Sequence, residues 1–162
     1  MVNKITMNLL ILLAIPCILY GRSFNVMDFG ARGNGISDDA IAIQKAVDAC
    51  TNAGGGDVVF SANHVFLSGP VQLKSNVNIV LETNSVWKAN PDESIYHLSA
   101  FGKNEGEGMM WIWAKDVENL SFSGHGTIHG NGIKFMGAEL FDSYELKPVT
   151  TFDPRPHVLT LM

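Results

Sequence analysis

Cysteine is scarce in this chain, with only Cys17 and Cys50 among 162 residues. A disulfide framework is excluded, because Cys17 falls in an N-terminal leader and Cys50 alone remains beyond it. No apolar run is long enough for a membrane helix, which needs about 20 residues. The run Leu9–Tyr20 has 12 and is broken by Pro16. There is no block of like charge and no low-complexity tract. Basic residues are outnumbered, 11 against 16 acidic, for a formal charge of −5. An acidic surface disfavours nucleic acid and anionic membranes as partners. His64, His97, His125, His129 and His157 show no spacing typical of a metal site. Neither a cofactor nor a metal is implied.

What is present begins with Lys4, the Leu9–Tyr20 run, and the small residues Gly21 and Ser23. A positive start, a short apolar core and small residues two apart form the layout of a secretory leader. Residues 1–23 are expected to be removed, leaving 24–162 as the domain, secreted or periplasmic. A lipid-anchored Cys17 is disfavoured, since Pro16 stands where a small residue is usual. Cleavage after Ser23 removes two basic residues, Lys4 and Arg22, and no acidic one, taking the formal charge to −7. Stable membrane association is not expected after that cut. Binding of an acidic polysaccharide would need a local basic pocket.

Residues 25–29 read as a short strand and Gly30–Gly35 as a turn-rich loop. Ser37 or Asp38 is a natural N-cap for a helix over 38–52, whose Ile43, Ala46, Val47 and Cys50 fall on one face. The Asp38-Asp39 pair reads as capping and dipole stabilisation before acid–base chemistry. Gly54-Gly55-Gly56 ends the helix. Short β-rich runs then follow at 57–60, 65–67, 71–73, 77–81, 86–87, 110–113, 120–122, 127–128 and 158–161. With no helices or hairpin signals between them, they fit stacked coils better than a sandwich. Asn76–Leu81 leading to Val86 is echoed by Asp116–Phe122 leading to Ile128. Residues 91–108 read as a loop between coils, broken by Pro91, Gly102, Gly106 and Gly108.

Four segments in order carry a family resemblance across the expected domain. They are Asp28-Phe-Gly-Ala-Arg-Gly-Asn-Gly-Ile-Ser-Asp-Asp39, Phe66–Glu82, Asn119–Gly132, and Arg155-Pro156-His157 through Leu161. Together they resemble polygalacturonase-like family 28 glycoside hydrolases, within the pectin-lyase-like superfamily. The resemblance implies an all-β, right-handed parallel β-helix with an N-terminal capping α-helix. It also implies inverting hydrolysis of a pectic polysaccharide, galacturonan or rhamnogalacturonan. His129 departs from the family, standing where Asp is usual in the turn Gly124–Gly132.

Inverting hydrolysis needs one protonated and one ionised carboxyl, about 6.5–9.5 Å apart, with water between. The family's Asn-Thr-Asp strand is absent, and Asp38-Asp39 lies too far upstream to be its catalytic pair. Gly124-His125-Gly126 has the letters of the histidine motif but the flanks of an earlier turn. Ile133-Lys134 lacks the arginine of the uronate-binding strand. No catalytic residue is expected here. Trp87, Trp111 and Trp113 are candidates for a sugar-stacking platform, with core packing the favoured reading. Asn119-Leu-Ser forms a glycosylation sequon, discounted because it falls in an expected strand. A lyase or epimerase using calcium would need clustered acids, and none is seen.

The run Pro156–Met162 ends in an alternating strand, placing Leu159 and Leu161 inward with no coil to cover them. The expectation is therefore the N-terminal part of a longer, exported hydrolase, inactive and aggregation-prone alone. A secreted β-helix module for carbohydrate binding or adhesion, without catalysis, is the alternative.

Overall fold

The computed structural model describes residues 21–99, 109–139, 146–148 and 156–162, with side chains not described at 136–139 and 146–148. Residues 1–20 of the expected leader, residues 100–108 of the expected loop 91–108, and Arg155 lie outside the described residues.

The chain winds through three parallel sheets, adding one strand to each on every turn after the first. β1 (Ser23–Asn25), β3 (Gly56–Phe60), β6 (Val77–Leu81) and β9 (Ser121–Gly124) lie side by side in the first sheet. The second holds β2 (Asn34–Asp38), β4 (Val65–Ser68), β7 (Val86–Ala89) and β10 (Thr127–His129). β5 (Val71–Gln72), β8 (Met110–Ala114) and β13 (His157–Leu161) form the third. Outside this prism, β11 (Met136–Glu139) and β12 (Leu146–Pro148) pair antiparallel. Sequential parallel strands wound in one sense make a right-handed parallel β-helix.

The first turn has no strand in the third sheet. Its place is taken by α1 (Ala40–Asn52), which follows β2 directly. Ile43, Ala46, Val47 and Cys50 are buried along the expected face. Gln44 completes the substitution: its Nε2 donates to the Gln72 carbonyl (3.0 Å), and its Oε1 accepts from the Gln72 N–H (2.9 Å). The side-chain amide thus satisfies the edge of β5 as a neighbouring strand would. Gly55 closes the helix through its N–H to the Cys50 carbonyl (2.9 Å), at φ +112°. A β-carbon there would stand 2.6 Å from the Asn76 carbonyl oxygen, so only glycine fits.

The interior is a stack of rings and branched chains. Phe60 meets Phe66 edge-on at 5.2 Å and Trp87 at 4.7 Å, and Trp87 meets Trp111 at 5.7 Å. Trp87 and Trp111 are wholly buried, and both indole N–H groups donate to the Ser68 hydroxyl oxygen, at 2.7 and 3.1 Å. Leu159 and Leu161 lie in register with the buried Ile112 and Ala114, yet are 43% and 64% exposed.

Several local expectations are corrected. The strand read at 25–29 is β1 at 23–25 followed by a 3₁₀ turn at Val26–Phe29, because the Asn25 side chain accepts from the Met27 N–H and starts that turn. The loop read at 30–35 gives way at Asn34 to β2, which pairs with β4. The helix begins at Ala40, with Asp39 at the N-cap position and no side-chain cap from it. Asp38 supplies the bond instead, accepting from the Ala40 N–H (2.8 Å), while Ser37 takes no part. The internal echo is confirmed as neighbouring strands: Asn78 pairs with Ser121 and Val86 with Thr127.

The coils differ in length. Asn84 bonds to Asn63, 21 residues back, whereas Asn119 bonds to Asn76, 43 residues back. The difference lies between β7 and β8. That segment holds a 3₁₀ turn, Glu93–Ile95, and a bridge from Ser99 to Met109.

Candidate functional site

On the outer side of the first sheet, successive strands place polar side chains in rows. A strand shows every second residue to one face, and parallel in-register neighbours repeat that choice about 4.8 Å away. Ser23, Asp57, Asn78 and Ser121 therefore form one row across β1, β3, β6 and β9. Asn78 binds it together, with Nδ2 donating to Asp57 Oδ1 (2.8 Å) and Oδ1 accepting from the Ser121 and Ser123 hydroxyls (2.9 and 3.1 Å).

At the start of each strand the turn residues stack too. Asn76 and Asn119 hold φ of +63° and +56°, a conformation asparagine tolerates better than other side-chain-bearing residues. Asn119 Nδ2 donates to Asn76 Oδ1 (2.9 Å). This row, the Asp57–Ser121 row and the bare backbone of Gly54–Gly56 enclose a groove of about 540 Å³, with Arg22 on its wall. Cys50, buried on α1, has its thiol pushed up by burial and by the charge of Asp57. Hydrogen-bonding side chains around exposed backbone suit a hydroxyl-rich ligand better than an apolar one.

The residues singled out in the sequence lie elsewhere. Asp39 is buried, its two oxygens accepting from the Arg32 and Gly33 N–H groups (2.7 and 3.0 Å). Besides Ala40, Asp38 accepts from the Gly69 N–H (3.1 Å) and Asn90 Nδ2 (2.7 Å). Nearby, the Tyr96 phenol is held well above its ordinary range by burial, with Asp38 and Asp92 adding to the effect. The two carboxylates thus tie the glycine-rich loop and two later turns to the helix start. His125 is exposed, and its N–H and that of Gly126 both donate to the Leu81 carbonyl (2.8 and 3.0 Å). Gly124 has φ +96°, and a β-carbon there would lie 2.0 Å from the Leu81 oxygen. Backbone packing accounts for the first glycine of that motif.

His129 ends β10, and its Nδ1 accepts from the Asn131 N–H (3.1 Å), a bond an aspartate would make at a turn. Lys134 sits in a 3₁₀ turn, Gly132–Phe135, beside an exposed Ile133. Trp87 and Trp111 are core, and Trp113 is half-buried on β8. Asn119 precedes β9 rather than lying within it, so the reason for discounting the sequon is corrected; its amide is engaged by Asn76. Among the described residues, no three His, Cys, Asp or Glu side chains cluster as metal ligands. No helix among them is long and apolar enough to cross a membrane. The groove was missed in sequence because its parts lie 21 to 43 residues apart. The signal available was the echo of Asn76-x-Asn78 in Asn119-x-Ser121.

Three parallel sheets, a helix closing one end and stacked turn asparagines define a single-stranded parallel β-helix of the pectin-lyase type. The chain belongs to the rhamnogalacturonase A/epimerase, pectate lyase-like family, whose profile matches residues 23–138. Mannuronan C5-epimerase AlgE2 of Azotobacter vinelandii is 48% identical over 64 residues, covering 35% of this chain and 6% of that protein. The plasmin and fibronectin-binding protein A of Streptococcus pneumoniae is 34% identical over 117 residues, 68% of this chain and 15% of that protein. The crystal structure of a hyperthermoactive exopolygalacturonase from Thermotoga maritima is 31% identical, with a TM-score of 0.59 over 68% of this chain and 25% of that one. The chain thus spans only a small part of the relatives it matches.

Proposed function

We propose that this chain forms the N-terminal coils of an exported polygalacturonase-type hydrolase acting on pectic polysaccharide by inversion, and that its catalytic carboxylates lie on further coils. The observation that carries this reading is the agreement in fold with the exopolygalacturonase, which the chain matches over only a quarter of that enzyme's length. The part played by residues 21–162 is scaffold: α1 closes one end, and the stacked rows set the register for coils built on β9, β10 and β13. The leader is removed on export to a secreted or periplasmic location. The Arg22 carbonyl accepts from the Asp57 N–H (2.7 Å) and Ser23 pairs with Asp57, so a cut upstream of Arg22 keeps a ladder that the cut after Ser23 would lose.

The test is reducing-end release from polygalacturonate by this chain beside a version extended through its downstream reading frame. Activity confined to the extended protein supports the reading; activity in neither sinks it. A second reading, a non-catalytic adhesion module, is favoured by the similarity to the streptococcal plasmin and fibronectin-binding protein. An extended protein that binds glycan or host protein without cleaving pectin would select it.

A further inference from the structure

We propose that the groove on the outer side of the first sheet binds a neutral pyranose residue of a glycan. The proposal rests on the reading above only for the class of molecule, a polysaccharide, and names a site and a preference which that reading does not assign.

The groove presents both kinds of hydrogen-bonding group with capacity left over. Asp57 uses Oδ1 to accept from Asn78, while its Oδ2 makes no described hydrogen bond and points towards Gly21. Asn76 accepts through Oδ1, leaving its amide N–H groups without a described partner. Asn119 donates through Nδ2, leaving its Oδ1 as an acceptor. Carboxylate oxygen, amide oxygen and amide N–H on neighbouring coils form a set suited to vicinal hydroxyls, each of which donates and accepts. The strand spacing of about 4.8 Å sets these groups at intervals comparable to the length of one sugar ring.

The set is also held in place before any ligand arrives. Asn78 is fixed by three side chains, and Asn76 and Asn119 fix each other. A ligand therefore orders few side chains on binding, which lowers the entropic cost. Gly54–Gly56 keep that wall low, because none has a side chain to fill the groove.

Charge selects a neutral sugar over a uronate. Asp57 is the acid in the row, and it lines the groove with one carboxylate oxygen not used by Asn78. A uronate carboxylate beside it would meet like charge in a chain already at −5. Arg22 is the cation on the wall, and it is engaged with the Ala53 carbonyl at the C-terminus of α1.

The test is titration of the ¹⁵N-labelled full chain with neutral 1,4-linked galactotetraose and, separately, with tetragalacturonate. The side-chain amide signals of Asn76, Asn78 and Asn119 and the backbone signals of Gly54–Gly56 should move together with the neutral sugar, with a Kd in the millimolar range expected of an open site. Asp57→Asn should weaken binding about tenfold by removing a charged acceptor. Ser121→Ala, a milder change in the same row, should weaken it less and serves if Asp57→Asn fails to fold. No movement of these signals with the neutral sugar overturns the proposal, as does tighter binding of tetragalacturonate. Binding is read without turnover, so a null result here beside pectin cleavage by the extended protein would reject this site alone.

Discussion

Gln44 of the capping helix holds Gln72 of β5 by both atoms of its side-chain amide, one donating and one accepting. The pair spans 28 residues and gives the first turn of the coil a substitute for the strand it lacks. Gln44→Ala should cost about 1–2 kcal/mol, because it leaves a backbone N–H and a carbonyl at a covered edge without partners. Thermal unfolding should drop by about 2–6 °C. Gln44→Glu keeps the acceptor but sets a carboxylate oxygen against the Gln72 carbonyl and the Asp48 carboxylate, both of which the amide now serves as donor, so it should destabilise at least as much. Faster hydrogen exchange confined to the Gln72 amide would locate the effect; an unchanged melting temperature in the alanine variant would refute the pairing.

Ser68→Ala should be more damaging than its size suggests. It removes the shared acceptor of two buried indoles, Trp87 and Trp111, and each stranded N–H costs about 1–3 kcal/mol. Reduced stability in chemical denaturation, together with altered tryptophan emission, is expected. Ser68→Thr keeps the hydroxyl and tests whether the loss is polar or steric.

His129→Asp should leave stability unchanged or raise it slightly. The imidazole Nδ1 accepts from the Asn131 N–H, and a carboxylate accepts the same bond with a full charge. A melting temperature lowered by several degrees would mean that the ring contributes packing that the turn bond does not capture.

Acid should weaken the contact between helix and third sheet. Burial opposes ionisation of Asp48, but hydrogen bonds from Lys74 and Gln44 and the charge of Lys74 outweigh it, and the carboxyl sits below its usual range. The folded pKa is depressed, so the stabilisation is present above the unfolded value of about 3.9 and disappears as pH falls through the folded one. The pair spans 2.7 Å, and each side chain is more than a third exposed, which keeps the effect small. Lys74→Ala should flatten the decline of melting temperature between about pH 5 and pH 2. An identical slope in wild type and variant would count against this linkage.

The coil was legible because its inward residues are apolar and its turns are polar. The run Val77–Leu81 was readable to the residue, and its burial alternates strictly. The buried face of α1 followed from the spacing of Ile43, Ala46, Val47 and Cys50. β2 was not legible, since Asn-Gly-Ile-Ser-Asp has glycine and polar residues and leaves Ile36 exposed; only pairing with β4 makes it a strand. Asp39 was misjudged for a related reason. A carboxylate at a helix start suggests a cap, and nothing local reveals that Arg32 and Gly33 fold back to claim it. The groove depends on stacking across coils, which one chain read in order does not display.

The unequal coil lengths carry a consequence for how such a molecule diversifies. Register in the first sheet passes from Asp57 to Asn78 to Ser121 without a break, although the second step consumes twice as much chain as the first. The excess leaves at one corner, after β7, and returns at β8. Length added at that corner leaves the register of the first sheet untouched. The molecule thus separates two design variables, the length let out between β7 and β8 and the spool that keeps its own count.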